Sequence, residues 1–151
     1  MSVMVSMRAE KIPELAKLRV LVVDDNDYIL NLIKMVLTDL GVGDSFLARD
    51  AVEAMKVMNG TAAVNFVICD WNMPGITGLE FLRKLRADGV TMPFIMLTAR
   101  ADEGSVIQAK EIGVDAYLVK PFSPIQLEKK LVALVTGLKD GDPAKAKPSS
   151  A

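Results

Sequence analysis

The sequence predicts a doubly wound α/β domain, a parallel five-stranded sheet with helices on both faces. Two observations carry that expectation. Apolar runs of strand length alternate with amphipathic helical stretches five times in succession, and the helical stretches begin at capping residues and mostly stop at glycine. Parallel strands need crossover connections, which are nearly always right-handed, so this alternation leaves few other arrangements.

Leu18 to Val23 reads as a buried strand, and the next helix runs from about Asp27 to Leu40, with Ile29, Ile33, Val36 and Leu40 on one face and Gly41 as its stop. Ser45 to Ala48 is a short second strand; Asp50-x-x-Glu53 opens a helix through Met58 that Asn59-Gly60 ends. Val64 to Cys69 is the third strand, and Thr77-x-x-Glu80 forms a capping box for a helix with Leu79, Leu82 and Leu85 on one side. Pro93 to Leu97 is the fourth strand, followed by a helix from about Asp102 to Ile112 that stops at Gly113. Asp115 to Val119 is the fifth. Ser123-Pro124-x-Gln126 then combines an N-cap, a proline at the first helical position and a capping-box glutamine ahead of Leu127, Leu131 and Leu134. The pattern is (βα)5.

Composition sets the limits. At 151 residues and 16.4 kDa the chain has the length of one domain, and 51% hydrophobic with 25% charged residues is a globular balance. Residues 1–17 read as an N-terminal extension, 18–136 as the domain, and 137–151 as a tail expected to be disordered, since it is rich in loop formers and low in bulky residues. Methionines at 1, 4 and 7 leave the translation start open. Eighteen basic residues oppose 19 acidic ones, so no basic excess points to nucleic acid or an anionic membrane. No apolar run approaches the roughly 20 residues of a membrane span, and no secretory signal precedes the domain, so a cytoplasmic location is expected. With no histidine, Ser-His-Asp triads, Cys-His dyads and His-ligated zinc are excluded; the single cysteine, Cys69, forms no internal disulfide and reads as a packing residue. Chemistry here must use carboxylates, hydroxyls and lysine.

In a doubly wound sheet ligands bind beyond the carboxyl ends of the strands. Strand one ends in Asp24-Asp25, strand three in Asp70, strand four in Thr98 and strand five in Lys120, all on one edge. Three gathered carboxylates repel one another unless a hard divalent cation neutralises them, which implies Mg²⁺, held by carboxylates and a backbone carbonyl with room for a phosphoryl oxygen. Lys120 and Thr98 then offer a fixed positive charge and a hydroxyl donor to the other phosphoryl oxygens. A carboxylate is itself a competent nucleophile, and Asp70, central in the sheet, is the geometric candidate.

The stretches Val22-Val23-Asp24-Asp25, Cys69-Asp70-Trp71-Asn72-Met73-Pro74-Gly75, Leu97-Thr98-Ala99 and Tyr117-Leu118-Val119-Lys120-Pro121-Phe122 together resemble the receiver domain of two-component response regulators, especially the CheY-like single-domain type, over roughly residues 18–136. The resemblance implies a flavodoxin-like fold of strand order 2-1-3-4-5. It implies Asp70 as phosphoacceptor, Asp24 and Asp25 as Mg²⁺ ligands with the Asn72 backbone carbonyl, Thr98 and Lys120 on the phosphoryl group, and Tyr117 as an aromatic switch. Asn72 and Arg100 fall at the family's hydrolysis-modulating positions, and a cis bond is family-typical before Pro121, although most X–Pro bonds are trans. With only about fifteen residues after Thr136, the expected output is a partner protein, bound through the face of the fourth helix, fifth strand and fifth helix, and the expected donor is a sensor histidine kinase or a phosphotransfer protein. Chemotaxis is one setting among several.

Each residue alone has a plainer role. Asp24-Asp25 would serve as helix caps, Asp70 as a loop carboxylate, Thr98 as a cap, Lys120 and Arg100 as solvated cations, and Tyr117 as simple packing. Only the constellation makes them specific. Among enzymes the nearest alternative is a haloacid-dehalogenase-like phosphatase, which also uses an aspartyl nucleophile. It needs Asp-x-Asp at that point, and here the second position is Asn72, which cannot cycle as general acid and base. A phosphorylation-independent scaffold on the same fold is the remaining alternative.

Overall fold

The computed structural model describes residues 12–99 and 103–137. The expected C-terminal disorder, and Arg100, lie outside the described residues. Five strands, β1 (Arg19–Val23), β2 (Asp44–Ala48), β3 (Phe66–Asp70), β4 (Phe94–Thr98) and β5 (Ala116–Val119), alternate with helices α1 (Asp27–Asp39), α2 (Ala51–Met58), α3 (Gly78–Ala87), α4 (Glu103–Ile112) and α5 (Pro124–Thr136). All neighbouring strands are parallel, in the order β2-β1-β3-β4-β5. The order reverses direction beside β1, which makes the crevice between the carboxyl ends of β1 and β3 the topological switch point.

Strand side chains alternate between two cores, as the pleat dictates. Val20, Val22, Phe66, Ile68, Ile95 and Leu97 face α1 and α5, while Leu21, Val23, Val67, Cys69, Phe94 and Met96 belong to the opposite core with α2, α3 and Ala109 of α4. Central strands buried on both faces explain why they read as continuous apolar runs. On α1 the buried stripe is Leu30, Ile33, Val36 and Leu37, with Ile29 only half-buried, a rotation of the face expected from the sequence.

Local chemistry sets the helix starts. Asn26 caps α1, its side chain accepting from the N–H groups of Tyr28 and Ile29; Asp50 caps α2. Thr77 with Glu80, and Ser123 with Gln126, form the two reciprocal capping boxes the sequence predicts. Strand bounds shift by a residue or two: β3 runs through Asp70 and β4 through Thr98, so both residues are held in the ladder. One element has no counterpart in the sequence reading. Pro13–Lys17, which the sequence places in the extension, forms a 3-10 turn whose Leu15 is buried among residues of β1, α1 and α5. Among the described residues no helix is long and apolar enough to cross a membrane.

Candidate functional site

The carboxyl ends of β1 and β3 place Asp24, Asp25 and Asp70 together: one carboxylate oxygen from each lies within 4.8 Å of the others. Their settings differ. Asp24 is fully buried, its N–H donating to Ala48 O across to β2 and its Oδ1 accepting from the Asn26 N–H at 2.9 Å. Asp70 is 5% exposed, whereas Asp25 is exposed. Lys120, just past β5, reaches in with Nζ 3.0 Å from Asp24 Oδ2 and 3.2 Å from Asp70 Oδ1. Apart from this pairing with Lys120, the buried Asp24 Oδ2 has no partner among the described residues.

Electrostatics follow from this crowding. Burial pushes the Asp70 carboxyl above its usual value, Asp24 and Asp25 add to the rise, and Lys120 opposes it. For Lys120 burial disfavours the ammonium, yet contact with Asp24 and Asp70 outweighs that and holds the proton more tightly than usual. Burial, then Asp70 and Asp24, pushes the Cys69 thiol well up, so it stays protonated and inert, as its packing role implies.

The remaining candidates surround this centre. Thr98 is fully buried at the end of β4, and its carbonyl accepts from the Lys120 N–H at 2.7 Å, which ties the lysine backbone to the neighbouring strand. The Lys120–Pro121 peptide is cis. Tyr117 lies half-buried in β5 opposite Met96, in the core shared with α2 and α3. Asn72 is exposed two residues beyond Asp70, and Trp71 between them is half-buried. The β3–α3 loop is closed by two 2.8 Å bonds, Trp71 N–H to Leu97 O and Gly78 N–H to Trp71 O.

Gly78 is the site-adjacent residue that sequence reasoning missed. A Cβ there would meet the Asp70 carbonyl oxygen at 2.1 Å. A signal was present, since glycine directly after an N-cap weakens a helix that any other residue would favour.

The donor set fits a hard divalent cation: three carboxylates, all oxygen, one of them carrying a buried oxygen whose described partner is Lys120 alone, against one described ammonium. With Lys120 beside them, these groups also suit a phosphoryl group, whose oxygens would meet the cations while a carboxylate oxygen attacks.

Comparison with known proteins agrees with this geometry. The family model described as the response regulator receiver domain matches residues 20–132. Chemotaxis protein CheY1 of Helicobacter pylori is 39% identical over 125 residues, covering 82% of this chain and 100% of that protein. The chemotaxis protein CheY homolog of Campylobacter jejuni is 41% identical over 127 residues, covering 82% and 98%. Among solved structures, the receiver domain of Francisella response regulator 1452 superposes with a TM-score of 0.73 at 32% identity, covering 80% of this chain and 98% of that one. Chemotaxis response regulator CheY4 of Vibrio cholerae gives 0.71 at 32%, covering 78% and 98%. The family match spans most of the chain and all four strand-end motifs, so this protein belongs to the response regulator receiver domain family, of the CheY-like type.

Proposed function

We propose that the protein is a phosphoacceptor switch of a two-component phosphorelay, with residues 18–136 as the receiver unit, and that Asp70 takes the phosphoryl group from a phosphohistidine on a sensor kinase or phosphotransfer protein. The observation that carries this reading is the cluster of Asp24, Asp25 and Asp70 bridged by Lys120 at the switch point of the sheet. An Asp70 carboxylate oxygen attacks phosphorus, the phosphorus–nitrogen bond of the donor breaks, and its electron pair stays on the imidazole. Asp24, Asp25, Asp70 and the Asn72 backbone carbonyl would hold Mg²⁺. When bound, the ion supplies positive charge to the phosphoryl oxygens. Lys120 leaves its carboxylate partners to pair with the phosphoryl group, and the Thr98 hydroxyl donates to it.

The group is removed by hydrolysis at the same centre. Water attacks phosphorus, the acyl-phosphate oxygen–phosphorus bond breaks, and the Asp70 carboxylate returns with release of inorganic phosphate. Asn72 and Arg100 modulate that rate in this reading. The protein is thus a signalling protein that promotes its own phosphorylation and dephosphorylation. The new charge, about −1.5 to −2, draws Thr98 and Lys120 inward, Tyr117 follows, and the face of α4, β5 and α5 changes for a downstream protein partner. The names of the relatives support chemotaxis or related signalling as the setting, and a cytoplasmic location goes with that reading.

The test is incubation with Mg²⁺ and a small phosphodonor, followed by mass spectrometry. One phosphoryl adduct on Asp70 is expected. An adduct that persists in Asp70→Asn would move the nucleophile elsewhere, and a partner that bound both forms equally would favour the scaffold.

A further inference from the structure

We infer that Gly78 is a positioning residue for the phosphoacceptor: with no side chain at the start of α3, the helix seats its backbone against Asp70 and Trp71 and so sets where Asp70 and Asn72 stand. The inference rests on the function proposed above for Asp70.

The contact is between backbones. A Cβ at Gly78 would lie 2.1 Å from the Asp70 carbonyl oxygen, 3.0 Å from its carbonyl carbon and 3.0 Å from Trp71 Cα. None of these atoms yields by rotating a side chain. Gly78 is not among the glycines with positive φ, so its value here is space and not a left-handed conformation. Local helix chemistry argues against it, since glycine is a poorer helix former than alanine. The close approach supplies the missing reason.

The same approach clamps the Asp70-Trp71 segment from two sides. Trp71 N–H donates to Leu97 O of β4 at 2.8 Å, and Trp71 O accepts from Gly78 N–H at 2.8 Å. An added methyl must therefore separate α3 from the loop, and the two sides resist unequally. α3 is anchored by the buried Leu79, Phe81, Leu82 and Leu85 and by the Thr77–Glu80 capping box. On the other side β3 is buried throughout and Met73 of the loop is buried as well, but Asn72, Pro74 and Gly75 are exposed. The loop gives way first, and it carries Asn72 and leads directly out of Asp70.

A second tight glycine supplies the control. A Cβ at Gly43 would meet Ala16 O at 2.4 Å, but at the other end of the sheet, where the Pro13–Lys17 turn packs. Gly78→Ala and Gly43→Ala should be compared in the full chain by far-UV and near-UV circular dichroism, urea unfolding, Mg²⁺ titration of Trp71 fluorescence, and phosphoryl uptake at saturating Mg²⁺. Gly78→Ala should keep its far-UV spectrum, change the metal-free near-UV signal of the single tryptophan, and weaken Mg²⁺ binding about tenfold or more. Its uptake should stay low even when Mg²⁺ saturates. Gly43→Ala should lose stability with Mg²⁺ affinity unchanged.

The proposal is overturned if Gly78→Ala binds Mg²⁺ as the wild type does, if the two variants lose stability and affinity in parallel, or if Gly78→Ala does not fold, since the glycine would then support the whole fold. In the wild type, amide exchange at Gly78 should slow when Mg²⁺ binds, and an unchanged rate would also overturn it. If the wild type itself takes up no phosphoryl group, the functional reading fails while the metal-free Trp71 signal still decides the positioning role.

Discussion

The two ends of the sheet use the same ingredients to opposite effect. At the amino ends of β4 and β5, Arg86 of α3 donates through Nε and Nη2 to Gly113 O, through Nη1 to Val90 O and Met92 O, and through Nη2 to Asp115 Oδ2. That oxygen also accepts from Phe94 N–H at 2.8 Å. All five guanidinium donors have acceptors, and the charges balance. At the carboxyl ends, Lys120 pairs with Asp24 and Asp70 of three clustered carboxylates, and it is the one described partner of the buried Asp24 Oδ2. A saturated node ties loops together. An unbalanced one keeps capacity for a cation or a phosphoryl group.

Substitution should separate the two ends most sharply. Asp70→Asn is expected to abolish phosphoryl uptake while the protein stays folded, whereas Arg86→Ala should leave uptake per folded molecule unchanged. Arg86→Ala should instead destabilise the fold by about 2–4 kcal/mol, because the carbonyls of Val90, Met92 and Gly113 lose their donors together. Mass spectrometry and urea unfolding read the two effects. Loss of uptake in folded Arg86→Ala would break the contrast.

Metal should act at one end only. Mg²⁺ that binds the folded cluster and not the unfolded chain should raise the melting temperature, by the equivalent of about 2.7 kcal/mol at a hundredfold excess over its dissociation constant. Asp25→Asn removes one carboxylate of the three, and should leave the metal-free protein equally or more stable while shrinking the Mg²⁺ response. Arg86→Ala should keep the full response. A melt that ignores millimolar Mg²⁺ would count against the acidic site.

The contrast also separates what was legible in the sequence from what was not. Asp24, Asp70, Thr98 and Lys120 could be placed together because each ends a strand, and parallel strands put their carboxyl ends on one edge. Both capping boxes were legible because their chemistry is local. Arg86 offered no such signal: it reads as one more basic residue on a polar helix face, and its acceptors come from two loops that meet only in the fold. The Pro13–Lys17 turn was too short for a period, and Leu15 is buried through distant partners, with Lys17 O accepting from Asn65 Nδ2 and Ala16 pressed on Gly43. Glu128 is likewise buried within α5, where charge alone suggests a solvated face.

The smallest expected effect is in pH dependence, and it follows from the sign of the Asp70 shift. Burial first, then Asp24, raises the Asp70 pKa above the ordinary 3.8, against the pull of Lys120. The folded state therefore holds this proton more tightly than the unfolded chain does. Its contribution to stability is full below the unfolded pKa and is lost as pH rises through the raised folded value. Asp70→Asn carries a neutral group throughout and lacks this slope. In a chelator, the unfolding free energy of Asp70→Asn relative to wild type should thus rise from acid toward neutral pH and then level off, since the Lys120 ammonium, also held above its ordinary value, persists through neutrality. Arg86→Ala should run parallel to wild type over the same range, because its guanidinium does not titrate there. Urea unfolding across that range reads all three curves, and a constant gap between Asp70→Asn and wild type would mean that the buried carboxylate is not strained at all.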